Sequence, residues 1–339
     1  MNNEIIQINE TTWRIEDGFV RFFLLTGRER ALLIDTGATS PDAKEIAESL
    51  TDLPLMLLNT HADGDHISGN AAFSEFYMHP DDYKNLNVAE KVPGSKLLPL
   101  HDGDVIDLGG RPLEIITIPG HTYGSVAVLD VKGRVLFPGD SAQDGHIYMF
   151  GSHRSPAQYP RSLQKLIDME DRFDFILPCH STPVLPASQI RKVLAAWNEV
   201  VAGSDRWHPD EINGNRIRTY DLDDCGFFCD PDLTAKRRTN MEITKTLNEN
   251  SLLLVLEGRL DTTTAPQLES ELKDSLDAVT ELTLDFTSLE YISSAGLRVL
   301  LSAQKAMNGK AGKMIVRNVN EDILEVFEIT GFTEILTIE

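Results

Sequence analysis

Cysteine is scarce, at three residues in 339. That excludes a disulfide framework and makes a reducing compartment the natural reading, so a cytoplasmic location is expected. Long apolar runs are absent. None reaches the roughly 18 residues needed to span a bilayer. The first ten residues carry an early acid and lack an apolar core, so no secretory leader is expected. Bases are outnumbered, with 31 Lys and Arg against 53 Asp and Glu, a net charge of −22. Such a field repels polyanions, so nucleic acid and anionic membrane are excluded as expected partners. The excess is not confined to one tail, because residues 241–339 hold 17 acids against 8 bases. What is present is ordinary. Hydrophobic residues at 41% and charged residues at 25% match globular usage and exclude a disordered or fibrous chain. At roughly 100–200 residues per domain, the length suits two domains or one large one.

From residue 4 to about 190, strand-like and helix-like segments alternate. Apolar runs at 19–25 and 31–34 flank Gly27-Arg28-Glu29-Arg30 and predict a hairpin. Two more hairpins are predicted around Gly109-Gly110 and Lys132-Gly133. Ser40-Pro41 predicts a helix start, with Ser40 as cap and Pro41 in the first position. Residues 55–58 read as a short buried strand and 175–177 as one more strand. Residues 203–240 are polar and lack a sustained period, which predicts a partly ordered tail and then a linker. A fresh pattern begins near Met241. Strands at 252–256, 282–286 and 314–316 alternate with helices at 266–276, 296–307 and 322–329, so a small sheet with helices packed on it is expected.

The densest chemistry lies in Asn59-Thr60-His61-Ala62-Asp63-Gly64-Asp65-His66, directly after a buried strand. Pro119-Gly120-His121, Pro138-Gly139-Asp140 and Pro178-Cys179-His180 follow, each after an apolar run. Loops at strand ends are where a rigid scaffold presents ligands. Imidazoles and carboxylates together suit zinc, iron or manganese.

This order of motifs closely resembles the metallo-β-lactamase fold superfamily over about residues 4–190. The resemblance implies a four-layer αββα sandwich with two divalent metal ions at one edge of its sheets. It places His61, Asp63 and His121 at one ion, Asp65, His66 and His180 at the other, and Asp140 as the bridging carboxylate. One position departs from the family pattern: Asp63 stands where its motif has His. Flavodiiron proteins of the same superfamily place Glu there. The implied activity is hydrolytic: two cations roughly 3.5–4 Å apart share a hydroxide near neutral pH and polarise a carbonyl or phosphoryl centre. Asp65 is the expected catalytic carboxylate, since it can also hold the nucleophile. Zinc is the leading expectation for the metal, with iron and manganese as alternatives. Away from this set, His79 and His101 read as turn or packing residues. His146, His153 and Tyr123 are candidates for the pocket wall, and residues 141–160 are expected to shape the substrate site. Cys225 and Cys229 have no second pair of ligands and read as structural; Cys179 reads as a bystander.

In the second half, Gly258-Arg259-Leu260-Asp261 and the run from Asp285 to Arg298 through Ser293-Ser294-Ala295-Gly296 resemble the STAS domain, the fold of anti-sigma factor antagonists. The resemblance implies that Ser294 is phosphorylated by a partner kinase, itself an anti-sigma factor, and that Asp261 lies near it. Ser293 replaces the family's usual Asp, and Ala295 replaces a second Ser or Thr. One of the two serines is also a natural helix N-cap. A phosphate at that helix start would be tolerated by the helix dipole while changing what docks beside it.

The whole chain therefore reads as α/β. A metallo-β-lactamase-like domain covers 1–203, a polar tail and linker covers 204–240, and a small α/β STAS domain covers 241–339. The expected function is a binuclear metal-dependent hydrolase joined to a STAS domain that binds a regulatory partner. The alternative is a non-catalytic partner-switching regulator whose first domain senses metal, redox state or a ligand. A third reading, prompted by Asp63, is oxygen or nitric oxide reduction at a di-iron site.

Overall fold

The computed structural model describes residues 3–83, 94–231, 233, 241–248, 250–261, 264–276 and 279–339, apart from the side chains at 274, 290, 294, 321, 322, 325, 328 and 329. Its packing divides the chain into two units, residues 1–233 and 234–339.

The first unit opens with a seven-stranded sheet in sequential order: β1 (Glu4–Asn9), β2 (Thr12–Asp17), β3 (Val20–Thr26), β4 (Ala31–Ile34), β5 (Leu55–Leu58), β6 (Glu75–Met78) and β7 (Lys96–Pro99). The first four strands are antiparallel and the last three pairings are parallel. Helix α1 (Ala43–Glu48) links β4 to β5, and the short α2 (Pro80–Tyr83) follows β6. The next strands are β8 (Val105–Asp107), β9 (Pro112–Thr117), β10 (Val126–Asp130), β11 (Val135–Phe137) and β12 (His146–Met149). Helix α3 (Tyr159–Asp168), β13 (Phe175–Ile176), β14 (Leu185–Pro186) and α4 (Gln189–Val201) come after them. A second sheet has the order β14-β13-β11-β10-β9-β8.

Strand β3 shows why the layers form. All seven of its residues are buried, as a strand covered on both faces must be. Side chains alternate along it. Phe23 and Leu25 join Leu113, Ile115, Val126 and Val128 of the second sheet in one core. Phe22 and Leu24 join Ala43 and Ala47 of α1 in another. On the far side of the second sheet, Ile116, Ala127 and Leu136 pack with Leu163 and Leu166 of α3 and Val193 and Trp197 of α4. Helix, sheet, sheet and helix thus stack as four layers around three apolar cores.

Two local expectations differ from the structure. Helix α1 starts at Ala43, and Ser40 is not its cap. The Ser40 hydroxyl instead accepts from Asn3, and its carbonyl accepts from the Ala43 N–H. The polar stretch after α4 is not a simple tail. It forms β15 (Trp207–Ile212), β16 (Asn215–Asp221) and β17 (Gly226–Cys229), which join β12 in a sheet of order β12-β17-β16-β15. The pairing that organises it is long-range: β17 runs parallel to β12, with Phe227 opposite Ile147. Tyr220, Phe227, Cys225 and Cys229 are buried there against Trp197, so both cysteines are core residues. The linker residues 234–240 lie outside the described residues.

The second unit has one sheet in the order β18-β19-β20-β21-β22, made of β18 (Glu242–Asn248), β19 (Ser251–Leu260), β20 (Glu281–Ile292), β21 (Lys313–Arg317) and β22 (Thr337–Ile338). The first pair is antiparallel and the rest are parallel. Helices α5 (Ala265–Ser275), α6 (Ser294–Gly309) and α7 (Glu321–Thr330) connect the strands. Leu254, Leu284 and Val316 from the sheet pack with Leu268, Leu300 and Phe327 from the helices. Among the described residues, no helix in either unit is long and apolar enough to cross a membrane.

Candidate metal centre

Each predicted ligand loop begins where an apolar strand ends. Residues 59–66 follow β5, His121 follows β9, Asp140 follows β11, and His180 follows β13. The seven side chains form two groups at one end of the facing sheets. In the first, His121 Nε2 lies 3.1 Å from His61 Nε2 and 3.3 Å from Asp63 Oδ2. In the second, His180 Nε2 lies 3.0 Å from Asp140 Oδ2 and 3.3 Å from Asp65 Oδ2, while His66 Nε2 is 3.4 Å from Asp140 Oδ1. Asp140 also reaches the first group, at 3.7 Å from His121 and 3.9 Å from His61.

The four imidazoles share one orientation, imposed by partners at Nδ1. His66 Nδ1 is 2.9 Å from Asp35 Oδ2, His121 Nδ1 is 2.9 Å from the Tyr148 carbonyl, and His180 Nδ1 is 2.8 Å from the Phe19 carbonyl. His61 Nδ1 is 3.0 Å from Thr60 Oγ1, whose hydroxyl donates to Asp35 at 2.7 Å. With every Nδ1 turned outward to a partner, every Nε2 faces the centre, where a neutral imidazole would offer its lone pair to a metal. His66 Nε2 and Asp140 Oδ1 are moreover buried without a hydrogen-bond partner. Buried polar atoms without a partner call for an explanation, and a bound cation would supply one. The donor set therefore fits divalent metal ions, with nitrogen and oxygen ligands in both groups.

The charges are strongly coupled. Burial raises the Asp63 carboxyl, but hydrogen bonds from His121 and His61 and the charge of Arg154 hold it well below the usual range. Asp140 is likewise held far down, with burial outweighed by His180 and His66. Burial lowers His180, yet Asp140 and Asp65 bring it up to about 10. His121 goes the other way, pushed down by burial and then by Arg154.

Several supporting residues were not foreseen. Asp35 is fully buried at the end of β4 in a left-handed backbone conformation (φ 64°), and it serves His66 and Thr60 together. Its sequence signal, an acid directly after an apolar strand, is visible but common. Asp82 on α2 accepts from the Ala62 N–H, the Thr122 hydroxyl and the Gly124 N–H, so one carboxylate clasps the loops carrying His61 and His121. Arg154 Nη2 donates to Asp63 at 2.6 Å. Cys179 Sγ sits 3.5 Å from Asp35, on the supporting carboxylate. Burial pushes its thiol up to about 12.

The centre opens into a pocket of about 590 Å³. Asp65, Arg154, Phe19, His146, Tyr148 and Asn213 help to line it. Phe19 is 68% exposed and stacks on His180. His146 stacks on Phe228 and pairs with Asp221 at 2.9 Å. Asn213 comes from the β15–β16 turn, so the stretch expected to be a tail builds part of the wall. Neither His153 nor Tyr123 lines the pocket.

In the second unit, Leu260 pairs with Ile292, and the Ser293 N–H donates to the Leu260 carbonyl. Asp261 and the start of α6 are thereby brought to one end of the sheet. The cap of α6 is Ser293, whose Oγ accepts from the N–H groups of Ala295 and Gly296. Ser294 is the first helical residue; its side chain lies outside the described residues. Gly296 is required for the close approach, since a Cβ there would lie 2.8 Å from the Leu260 carbonyl oxygen.

These two arrangements agree with comparisons to known proteins. Residues 15–201 match the metallo-beta-lactamase superfamily model, and residues 241–339 match the STAS domain model. The chain belongs to the metallo-beta-lactamase superfamily and carries a STAS domain after it. Among its relatives is acyl-coenzyme A thioesterase MBLAC2 of Gallus gallus, 28% identical over 198 residues, or 47% of this chain and 71% of that protein. Hydroxyacylglutathione hydrolase of Nostoc punctiforme is 27% identical over 161 residues, or 46% of this chain and 62% of its own length. The second unit is 35% identical over 99 residues to BtrV of Bordetella bronchiseptica, a candidate anti-sigma factor antagonist; the match covers 29% of this chain and 85% of BtrV. A metallo-beta-lactamase structure from Pontibacter korlensis superposes with a TM-score of 0.51 at 18% identity, covering 58% of this chain and 99% of its own.

Proposed function

We propose that the first unit is a metal-dependent hydrolase of thioesters. The observation that carries the reading is the convergence of four Nε2 atoms and three carboxylates around buried, unpartnered donor atoms. His61, Asp63 and His121 would hold one divalent ion, Asp65, His66 and His180 the other, with Asp140 shared. Bound there, the ions would supply a hydroxide near neutral pH and polarise the scissile carbonyl. The chain's own residues do the rest. Asp65, a quarter exposed in the pocket wall, can accept a proton from an attacking water at its carboxylate. Asp35 and Thr60 keep two imidazoles in the required tautomer. Phe19 and Tyr148 present apolar surface for an acyl or thiol group. Thioesters are favoured over other esters because two relatives are named for hydrolysis of acyl-coenzyme A and hydroxyacylglutathione.

The reading is tested by elemental analysis and by turnover of acyl-coenzyme A, acylglutathione, lactone and phosphodiester substrates. Bound metal with thioester turnover that Asp65→Asn reduces by about 100-fold or more is expected. No turnover on any panel member, or turnover indifferent to Asp65→Asn, would overturn it.

A second reading is carried by a separate observation. Ser293 is the residue whose side chain caps α6, and Ser294 follows it as the first residue of the helix. Ser294 is accordingly the proposed phosphorylation site, with Asp261 beside it, and the second unit binds an anti-sigma factor or serine kinase. Capture of a kinase by Ser294→Ala but not by Ser294→Glu is expected; equal capture by both would reject the switch.

A further inference from the structure

The first donor group already contains a cation. Arg154 lies in the loop after β12, and that loop is pinned to the His121 loop twice. The Ser155 N–H donates to the Gly120 carbonyl at 2.8 Å, and the Tyr123 N–H donates to the His153 carbonyl at 3.2 Å. Between these anchors the Arg154 side chain turns inward, with 12% of it exposed. Nη1 donates to the His121 carbonyl at 3.0 Å and lies 3.3 Å from His121 Nε2, while Nη2 holds Asp63 Oδ2. The guanidinium therefore touches two of the three side chains of this group at their ligand atoms. Among the described residues, no arginine or lysine pairs with the four side chains of the other group.

The electrostatic consequence is an asymmetry. Asp63 is matched by the fixed charge of Arg154, Asp65 faces no arginine or lysine among the described residues, and Asp140 reaches both groups. Guanidinium stays protonated under all ordinary conditions. A divalent ion entering the first group must share Asp63 with a fixed positive charge a few ångströms away, at low local dielectric. Asp63 is also the position where a neutral imidazole would have needed no such partner.

We propose that Arg154 makes the two metal sites unequal. The Asp65, His66, Asp140 and His180 site fills first, and the His61, Asp63 and His121 site fills second and more weakly because Arg154 competes for its donor atoms. Arg154 is thus a positioning residue that sets the order and strength of metal loading. The inference rests on the metal-binding reading above.

The test is titration of the metal-free full chain with Zn²⁺ against a chromophoric chelator, with the bound ions counted by elemental analysis. Two steps differing by about tenfold or more in Kd are expected. Asp63→Ala should remove the weaker step alone. Arg154→Met should tighten the weaker step by about tenfold and leave the stronger one in place. Arg154→Lys keeps the charge and should keep the weaker step weak, and it guards against a fold effect of the Met variant. Equal Kd values in the wild type, or an Arg154→Met protein whose second step is no tighter, would overturn the inference while leaving the metal site standing. Failure of the wild type to bind any Zn²⁺ would overturn both.

Discussion

At the scale of single residues, Asp35 stands behind two of the candidate ligands. It is the one charged acceptor that serves both His66 and the Thr60 hydroxyl behind His61. Replacing it by Asn keeps the size but removes the charge. Metal affinity should then fall by about 10- to 100-fold, as competition with a chelator would show. Gly139 is a second such residue. It has a φ of +56°, and a Cβ there would lie 2.8 Å from Thr60 Oγ1. Gly139→Ala should cost about 1–3 kcal/mol, read as a lower urea midpoint with an unchanged slope. It should also weaken metal binding, because Asp140 follows directly. The seven ligand-type residues were legible in the sequence because their spacing after strands is local. Asp35, Asp82 and Arg154 were not. Each acts on a partner 20 to 91 positions away, and an isolated acid or arginine carries no local sign of such a partner.

At the scale of elements, most strands and helices were legible because period-two and period-3.6 patterns are strong in this chain. Hairpins β3–β4, β8–β9 and β10–β11 follow their turn residues. Strands β15 to β17 were missed for a physical reason. Most of β15 is exposed, so it lacks an apolar face, and β17 is recruited by pairing with β12, about 80 residues earlier. In the second unit, Asp285 ties β20 to the end of β21. Burial raises its carboxyl, but bonds from Thr287, Asn318 and Arg317 hold it well below the usual range. A depressed carboxylate stabilises the fold above its unfolded value of about 3.9, and that stability is lost as the pH falls through the folded value. Asp285→Asn should therefore lower stability by about 1 kcal/mol or more at pH 7. The gap from wild type should close below about pH 4, as urea unfolding at several pH values would show.

At the scale of the whole molecule, each unit owns its cores. Residues 241–339 enclose one, and the first unit encloses three. Among the described residues, only the first carries the candidate metal centre. Metal that binds the folded form alone raises apparent stability by mass action. Calorimetry of the full chain should therefore show a transition that falls when a chelator is added and another, from the second unit, that does not. A single transition moved as a whole would contradict this separation.

The sequence alone determined the two-domain α/β organisation, the seven metal-ligand candidates and the Ser294 region, because strand periodicity and loop motifs are local properties of the chain. Only the tertiary structure decided what surrounds them. The common orientation of the four histidines, the clasp made by Asp82, the pocket wall contributed by the β15–β16 turn and the arginine seated on Asp63 all join residues far apart in the chain. Contacts of that kind are selected by how layers pack, and packing is set by the whole core rather than by any one stretch of residues.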